Sequence, residues 1–255
     1  MYPRYIVSFD TSCMPCHEYD YLVVGSGVAG LITATLLADH GRVALLSKEE
    51  LSESNTQYAQ GGIAAAIGPD DSPELHYRDT IKAGAGLCSE EAVRILADEG
   101  PSYLYQLIEA GAVFDRTDGY SLTREAAHSR NRILHAKGDA TGAEIERTLL
   151  CNIKRFDNIT ILPGIMAVDL LTDNGRCHGL IALDTSSGGM SVYTAGAIIM
   201  ASGGAGQIYC RTTNPDVSTG DGAAMAFRAG ARLADLEFFQ FHPTALYLPR
   251  APMFL

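Results

Sequence analysis

An α/β fold, opening on a parallel βαβ unit and carrying antiparallel strands further on, is predicted by three features of this 255-residue sequence. The stretch Gly25-Ser26-Gly27-Val28-Ala29-Gly30 lies between an apolar run and a segment of helical spacing. Short apolar runs crowd into residues 159–194, the later ones separated by Asp173-Asn174-Gly175 and Ser187-Gly188-Gly189. A further apolar run, "AGAIIMASGGAG", ends on a second glycine turn.

Taken in order, Tyr21 to Val24 reads as a short buried strand, Leu31 to His40 as a helix with Gly41 as its stop, and Arg42 to Leu46 as a second strand. Residues 74–84 and 89–110 read as helices, the second started by Ser89 with Glu90 and Glu91 behind it. Residues 112–138 are polar and rich in Arg and His, and read as an irregular segment, exposed or lining a site. A helix is expected from Thr141 to Arg155. Strands at about 159–162, 165–171, 177–184 and 191–194 read together as a β-meander, and "GDGAAMAFRAGARL" as a helix of small residues.

The composition narrows the function. Apolar residues make up 47% and charged residues 19%, which suits a globular core. The net charge of −11, with no basic stripe, argues against nucleic-acid binding. No apolar run reaches the roughly 18–20 residues of a membrane span, and no signal-peptide pattern opens the chain. Six cysteines are scattered, and only Cys13-Met-Pro-Cys16 is closely spaced. One such pair supplies half of a structural zinc site, so no metal is expected and the thiols read as reduced, in a cytoplasmic protein.

The first glycine turn has the context that its chemistry needs. Gly25 permits the tight turn, Gly27 lets backbone approach a pyrophosphate, and Gly30 lets helix and strand pack closely. Ser26, Val28 and Ala29 complete the contact surface, and the helix N-terminus offers N–H groups to phosphates. The plainer alternative is an ordinary strand–turn–helix junction. An NAD site would place an acid at the end of the second strand. Here that strand ends Leu46-Ser47-Lys48, with Glu49 and Glu50 late, so Lys48 would face the adenosine side of a different dinucleotide.

The motifs "GSGVAGL", "SNTQYAQGGIAAA", "ASGGAG", "TTNPDVSTGDGAAMAFRAGA" and "EFFQFHPTALY" follow one another in an order that resembles the succinate dehydrogenase/fumarate reductase flavoprotein family. The resemblance runs from residue 19 onward. It implies a Rossmann-like FAD-binding domain over 19–238 with the meander inserted in it. A segment 1–18 would precede that domain, and the start of a substrate-capping domain would lie at 239–255. It also implies that Asn55, Thr56, Gln57, Tyr58, Ala59, Gln60, Gly61 and Gly62 run along the flavin, with Ala167 and Asp221 as further cofactor contacts. Respiratory members carry a flavin-linked His where this chain has Asn55, so the resemblance implies noncovalent FAD. Asn55 as a polar turn residue, and Asp221 as a helix N-cap, are the plainer readings.

Within the family, "SLTREAAHSRNRILHAKGDATGAEIERTL" is similar to the branch that oxidises L-aspartate. There Glu125 would face the substrate ammonium, a group that succinate lacks. A surface ion pair of Glu125 with Arg124 or Arg130 is the alternative. His242 matches the family's substrate-carboxylate His, and Gln240 and Thr244 share its side of an extended segment. His128, His135, Arg130 and Arg132 cluster by sequence, and a solvated basic loop fits them equally. The implied chemistry is oxidation of L-aspartate to iminoaspartate, the opening step of NAD biosynthesis. Electrons would go to O2 or fumarate, and the product to quinolinate synthase. Rival readings are a succinate or fumarate enzyme, a non-catalytic flavin-binding module, and an NAD-dependent dehydrogenase. The family's pattern continues past Leu255 with its catalytic Arg and last flavin segment. The expectation for the chain as it stands is weak FAD retention and no turnover.

Overall fold

The computed structural model describes residues 3–125 and 127–241. In chain order the elements begin with β1 (Cys16–Glu18), β2 (Tyr21–Val24), α1 (Val28–Leu37), β3 (Val43–Ser47), β4 (Ile63–Ala64), α2 (Pro73–Ala83) and α3 (Glu90–Glu109). They continue with β5 (Leu122–Thr123), β6 (Ile133–Leu134), α4 (Thr141–Ile153), β7 (Ile159–Pro163), β8 (Ile165–Asp173), β9 (Arg176–Asp184), β10 (Met190–Thr194), β11 (Ala197–Met200) and α5 (Asp221–Arg228). The chain forms two compact units, one of residues 1–55 and 150–255, the other of residues 56–149.

The first unit holds a parallel sheet in the order β11-β2-β3-β7 and a second sheet in the order β1-β10-β9-β8. Every residue of β3 is buried, as a central parallel strand covered on both faces requires. Leu22 and Val24 of β2, Ala44 and Leu46 of β3, Leu170 of β8, Leu180 of β9, Tyr193 of β10 and Met225 of α5 form one core cluster. A large apolar side chain fully buried there stabilises the unit by about 1.5–3 kcal/mol. Asn174 (φ 49°) and Gly175 (φ 76°) close the β8–β9 hairpin with two left-handed residues in succession, the I′ geometry that suits strand twist.

Several expectations need correction. The strand at 159–162 belongs to the parallel sheet, where β7 pairs β3 in register Val43↔Ile159, so the meander is β8-β9-β10 alone. β1 joins that meander by pairing β10 in parallel, which nothing in its exposed Cys-His-Glu sequence announces. The first helix starts at Val28 and ends at Leu37, earlier at both ends than expected. The carbonyl of its C-cap, Ala38, and that of Gly41 beyond it are met by the distant Asn158, whose Nδ2 donates to them at 2.6 and 2.8 Å. Gly41 is no left-handed cap; a Cβ there would press on the Asp20 side chain.

The second unit contains α2, α3, most of α4 and a small sheet in the order β4-β6-β5. Ser72 caps α2 by accepting from Leu75 N, with Pro73 in the first turn, and Ser89 caps α3 by accepting from Ala92 N. The segment 112–138 is not simply irregular and exposed. Phe114, Arg132, Ile133, Leu134 and Ala136 are buried, and the segment supplies two of the three strands of that sheet.

Candidate functional site

In the first unit, β2 and β11 pair in parallel and end side by side. Both are followed by glycine turns. Gly25 adopts φ +113°, and a Cβ on it would overlap the carbonyl oxygen of Ala201 in the second turn. A Cβ on Gly30 would overlap the Gly25 carbonyl, and one on Gly222 would overlap Ser202 Oγ. The two turns therefore pack backbone to backbone at the C-terminal edge of the sheet, the place where open α/β sheets bind dinucleotides. Gly27 is the N-cap of α1 and makes no side-chain capping bond, which leaves that helix end to backbone chemistry.

Ser26 and Ser47 are buried, and their hydroxyl oxygens lie 3.0 Å apart. Ser26 donates to Leu51 O at 3.0 Å, so Ser47 is the donor to Ser26. The strand end where an NAD site carries an acid is thus filled by a hydroxyl chain. Lys48 Nζ lies 2.6 Å from both Asp221 Oδ2 and Thr219 Oγ1. Asp221 is the first residue of α5, and the N-cap is Gly220 in the left-handed conformation, so the capping alternative for Asp221 fails by one position. Asn55 Nδ2 donates to the buried Ser218 Oγ at 2.7 Å. Gly203 of the second turn lies close to that amide. Ala167 buries its side chain in the core and offers a ligand only its backbone.

In the second unit, Gly62 (φ +83°) lies against β6, where a Cβ would press on Ile133 Cγ2 and Leu134 O. Gly61 is exposed, and nothing lies within 4 Å of its missing Cβ. Thr56 and Ala59 are backed by Gly142 of α4, whose N–H donates to Ala59 O at 2.8 Å and whose Cβ would overlap the Thr56 carbonyl. Gly142 was not singled out from the sequence, although a glycine in the first turn of a helix is the signal that marks such an approach. Gln57 is half-buried, Tyr58 is 40% exposed, and Gln60 is half-buried.

Glu125 is exposed and makes no ion pair among the described residues; Arg130 pairs Asp70 instead, at 3.5 Å. His135 shares a 2.8 Å hydrogen bond between its Nε2 and Thr123 Oγ1. Arg132 departs furthest from a solvated basic loop: it is 0% exposed. Its Nε and Nη2 donate to Asp71 at 2.8 and 2.7 Å, and its Nη1 donates to Asp79 at 2.8 Å. Gln240 is exposed, while His242 and Thr244 lie outside the described residues. Among the described residues, no group of His, Cys, Asp or Glu could hold a metal ion, and no helix is long and apolar enough to cross a membrane.

The cradle of the first unit fits a dinucleotide: its two turns close on each other only because Gly25, Gly30 and Gly222 lack side chains, the end of α1 carries no side-chain cap, and no strand-end acid selects NAD. Comparison with known proteins narrows the cofactor. Residues 20–255 match the FAD binding domain family. The chain is 50% identical over 241 residues to L-aspartate oxidase of Nostoc sp., an overlap covering 93% of this chain and 41% of that protein. It is 46% identical over 254 residues to L-aspartate oxidase of Pseudomonas aeruginosa, covering 94% of this chain and 47% of that one. Among solved structures, a quinol fumarate reductase of E. coli superposes with a TM-score of 0.89 at 33% identity, covering 95% of this chain and 42% of that one. A Mycobacterium smegmatis Sdh1 complex gives 0.87 at 32% identity, covering 95% and 43%. The chain spans less than half the length of each of these relatives.

Proposed function

The chain belongs to the FAD binding domain family, and from that premise we propose that it serves the FAD-dependent oxidation of L-aspartate to iminoaspartate. The observation that carries this reading is its near-half identity, over more than nine-tenths of its length, to proteins named L-aspartate oxidase. The proposed physiological setting is the first step of NAD biosynthesis in the cytoplasm, with O2 or fumarate as electron acceptor and quinolinate synthase as the next enzyme.

FAD, when bound, supplies the two-electron oxidant. The chain's own residues bind and orient. Gly25 to Gly30, Lys48 and Asp221 hold the dinucleotide, with Asn55 to Gly62 and the backbone at Ala167 along it. Asn55 has no imidazole to alkylate and is tied to Ser218, so the flavin is held without a covalent link. Glu125 accepts the substrate's α-ammonium, and Gln240, His242 and Thr244 take its carboxylates. Holding Cα in one orientation is worth more to the rate than any single contact.

A second reading, oxidation of succinate or reduction of fumarate, is favoured by the fold likeness to the E. coli quinol fumarate reductase. The two separate in a dye-coupled assay of the protein expressed from its complete gene. L-Aspartate is expected to reduce the dye and succinate is not. Dye reduction by succinate alone would overturn the aspartate reading.

A further inference from the structure

Arg132 immediately precedes β6, the middle strand of the second unit's small sheet. Its N–H donates to Thr123 O and its carbonyl accepts from Ala65 N, both at 3.0 Å. One residue thus joins the strand that follows Gly62 to the strand that leads into Glu125. Its side chain is fixed as firmly. The guanidinium grips Asp71, whose side chain is 0% exposed, in a bidentate pair, and also reaches Asp79. Asp79 in turn accepts from Ser129 N and Ser129 Oγ, each at 2.8 Å. Burial alone would raise the Asp79 carboxyl, but the bonds from Ser129 and Arg132 outweigh it and hold the group below its ordinary value.

His128 links this anchor to Glu125. Arg132 Nη1 lies 3.1 Å from His128 Nδ1. A guanidinium can only donate, so Nδ1 accepts and His128 carries its proton on Nε2. The His128 N–H donates to the Glu125 carbonyl at 3.1 Å. The backbone of Glu125 is therefore held through His128, and through Thr123 two residues before it, to the same buried arginine.

We propose that Arg132 and His128 are positioning residues for Glu125, fixing the carboxylate that selects a substrate carrying an α-ammonium. This rests on the aspartate reading given above. Neither residue need touch substrate; their work is to keep one loop in one register. Removing Arg132 would strand two carboxylates and endanger the fold, so the test lies at His128 and Ser129.

The protein expressed from its complete gene is prepared as wild type, Glu125→Gln, His128→Leu, His128→Asn and Ser129→Ala. KM is measured for L-aspartate, and Kd for succinate by calorimetry. Succinate lacks the ammonium, so only misplacement of Glu125 separates the two ligands. Glu125→Gln is expected to raise the aspartate KM by roughly 10–100-fold, the worth of a charge-assisted bond, with succinate binding unchanged. His128→Leu should follow in the same direction by about tenfold, with faster amide exchange in 122–129. His128→Asn, whose Oδ1 stands where Nδ1 accepted, should restore both values. Ser129→Ala removes one exposed bond to Asp79 and should give a smaller shift of the same kind, which keeps the test alive if His128→Leu does not fold. Unchanged aspartate KM in His128→Leu and Ser129→Ala, beside a raised one in Glu125→Gln, would overturn the positioning role. So would equal losses for aspartate and succinate, the mark of general damage. No effect of Glu125→Gln would overturn the aspartate reading itself.

Discussion

His76 is 4% exposed, and its Nδ1 has no hydrogen-bond partner among the described residues. Burial, followed by the charge of Arg132, pushes its pKa below the ordinary 6.5. The folded protein therefore binds fewer protons at this site than the unfolded chain. By linkage, the folded state is not penalised above pH 6.5 and loses stability as the pH falls from 6.5 toward the depressed value. His76→Phe keeps a ring against His128, whose centroid lies 5.6 Å away, and removes the titration. Urea unfolding between pH 8 and 5 should show wild type losing more stability than His76→Phe below pH 6.5; parallel curves would contradict the burial argument. The sequence displayed the histidines and arginines of 128–135 as a cluster. It did not show that Asp71 and Asp79, fifty or more residues earlier, would close around Arg132, because ion pairs across that distance depend on tertiary packing.

At the level of elements, the glycines divide into those that the fold needs and those left for a ligand. Gly25→Ala meets the Ala201 carbonyl and a positive φ, and strain of that kind costs about 1–3 kcal/mol before any flavin is lost. Gly61→Ala meets nothing within 4 Å and has no left-handed backbone. The prediction is that Gly25→Ala lowers both Tm and flavin content, whereas Gly61→Ala leaves the apoprotein's Tm unchanged and weakens flavin binding alone. Unchanged binding in Gly61→Ala would remove that residue from the cofactor surface. The βαβ start and both glycine turns were legible because each has a period and a punctuation residue. β5 and β6, at two residues each, are too short to show a period. β7 reads like its antiparallel successors, since an apolar run of five residues carries no mark of its partner's direction.

For the whole molecule, the βαβ pattern and the order of the motifs allowed the fold class and cofactor to be read early, and the acidic charge only set nucleic acid aside. The division into two units was not legible, because residues 56–149 are set off by contacts and no composition shift marks their borders. The central claim is that the paired glycine turns hold FAD and that Asn55 leaves it unlinked. That claim is tested most directly by the visible spectrum of the protein expressed from its complete gene, supplied with FAD and purified, before and after acid precipitation. A yellow protein that releases all of its flavin to the supernatant is expected. Flavin retained in the pellet would contradict the role given to Asn55, and a protein that stays colourless would contradict the cradle itself.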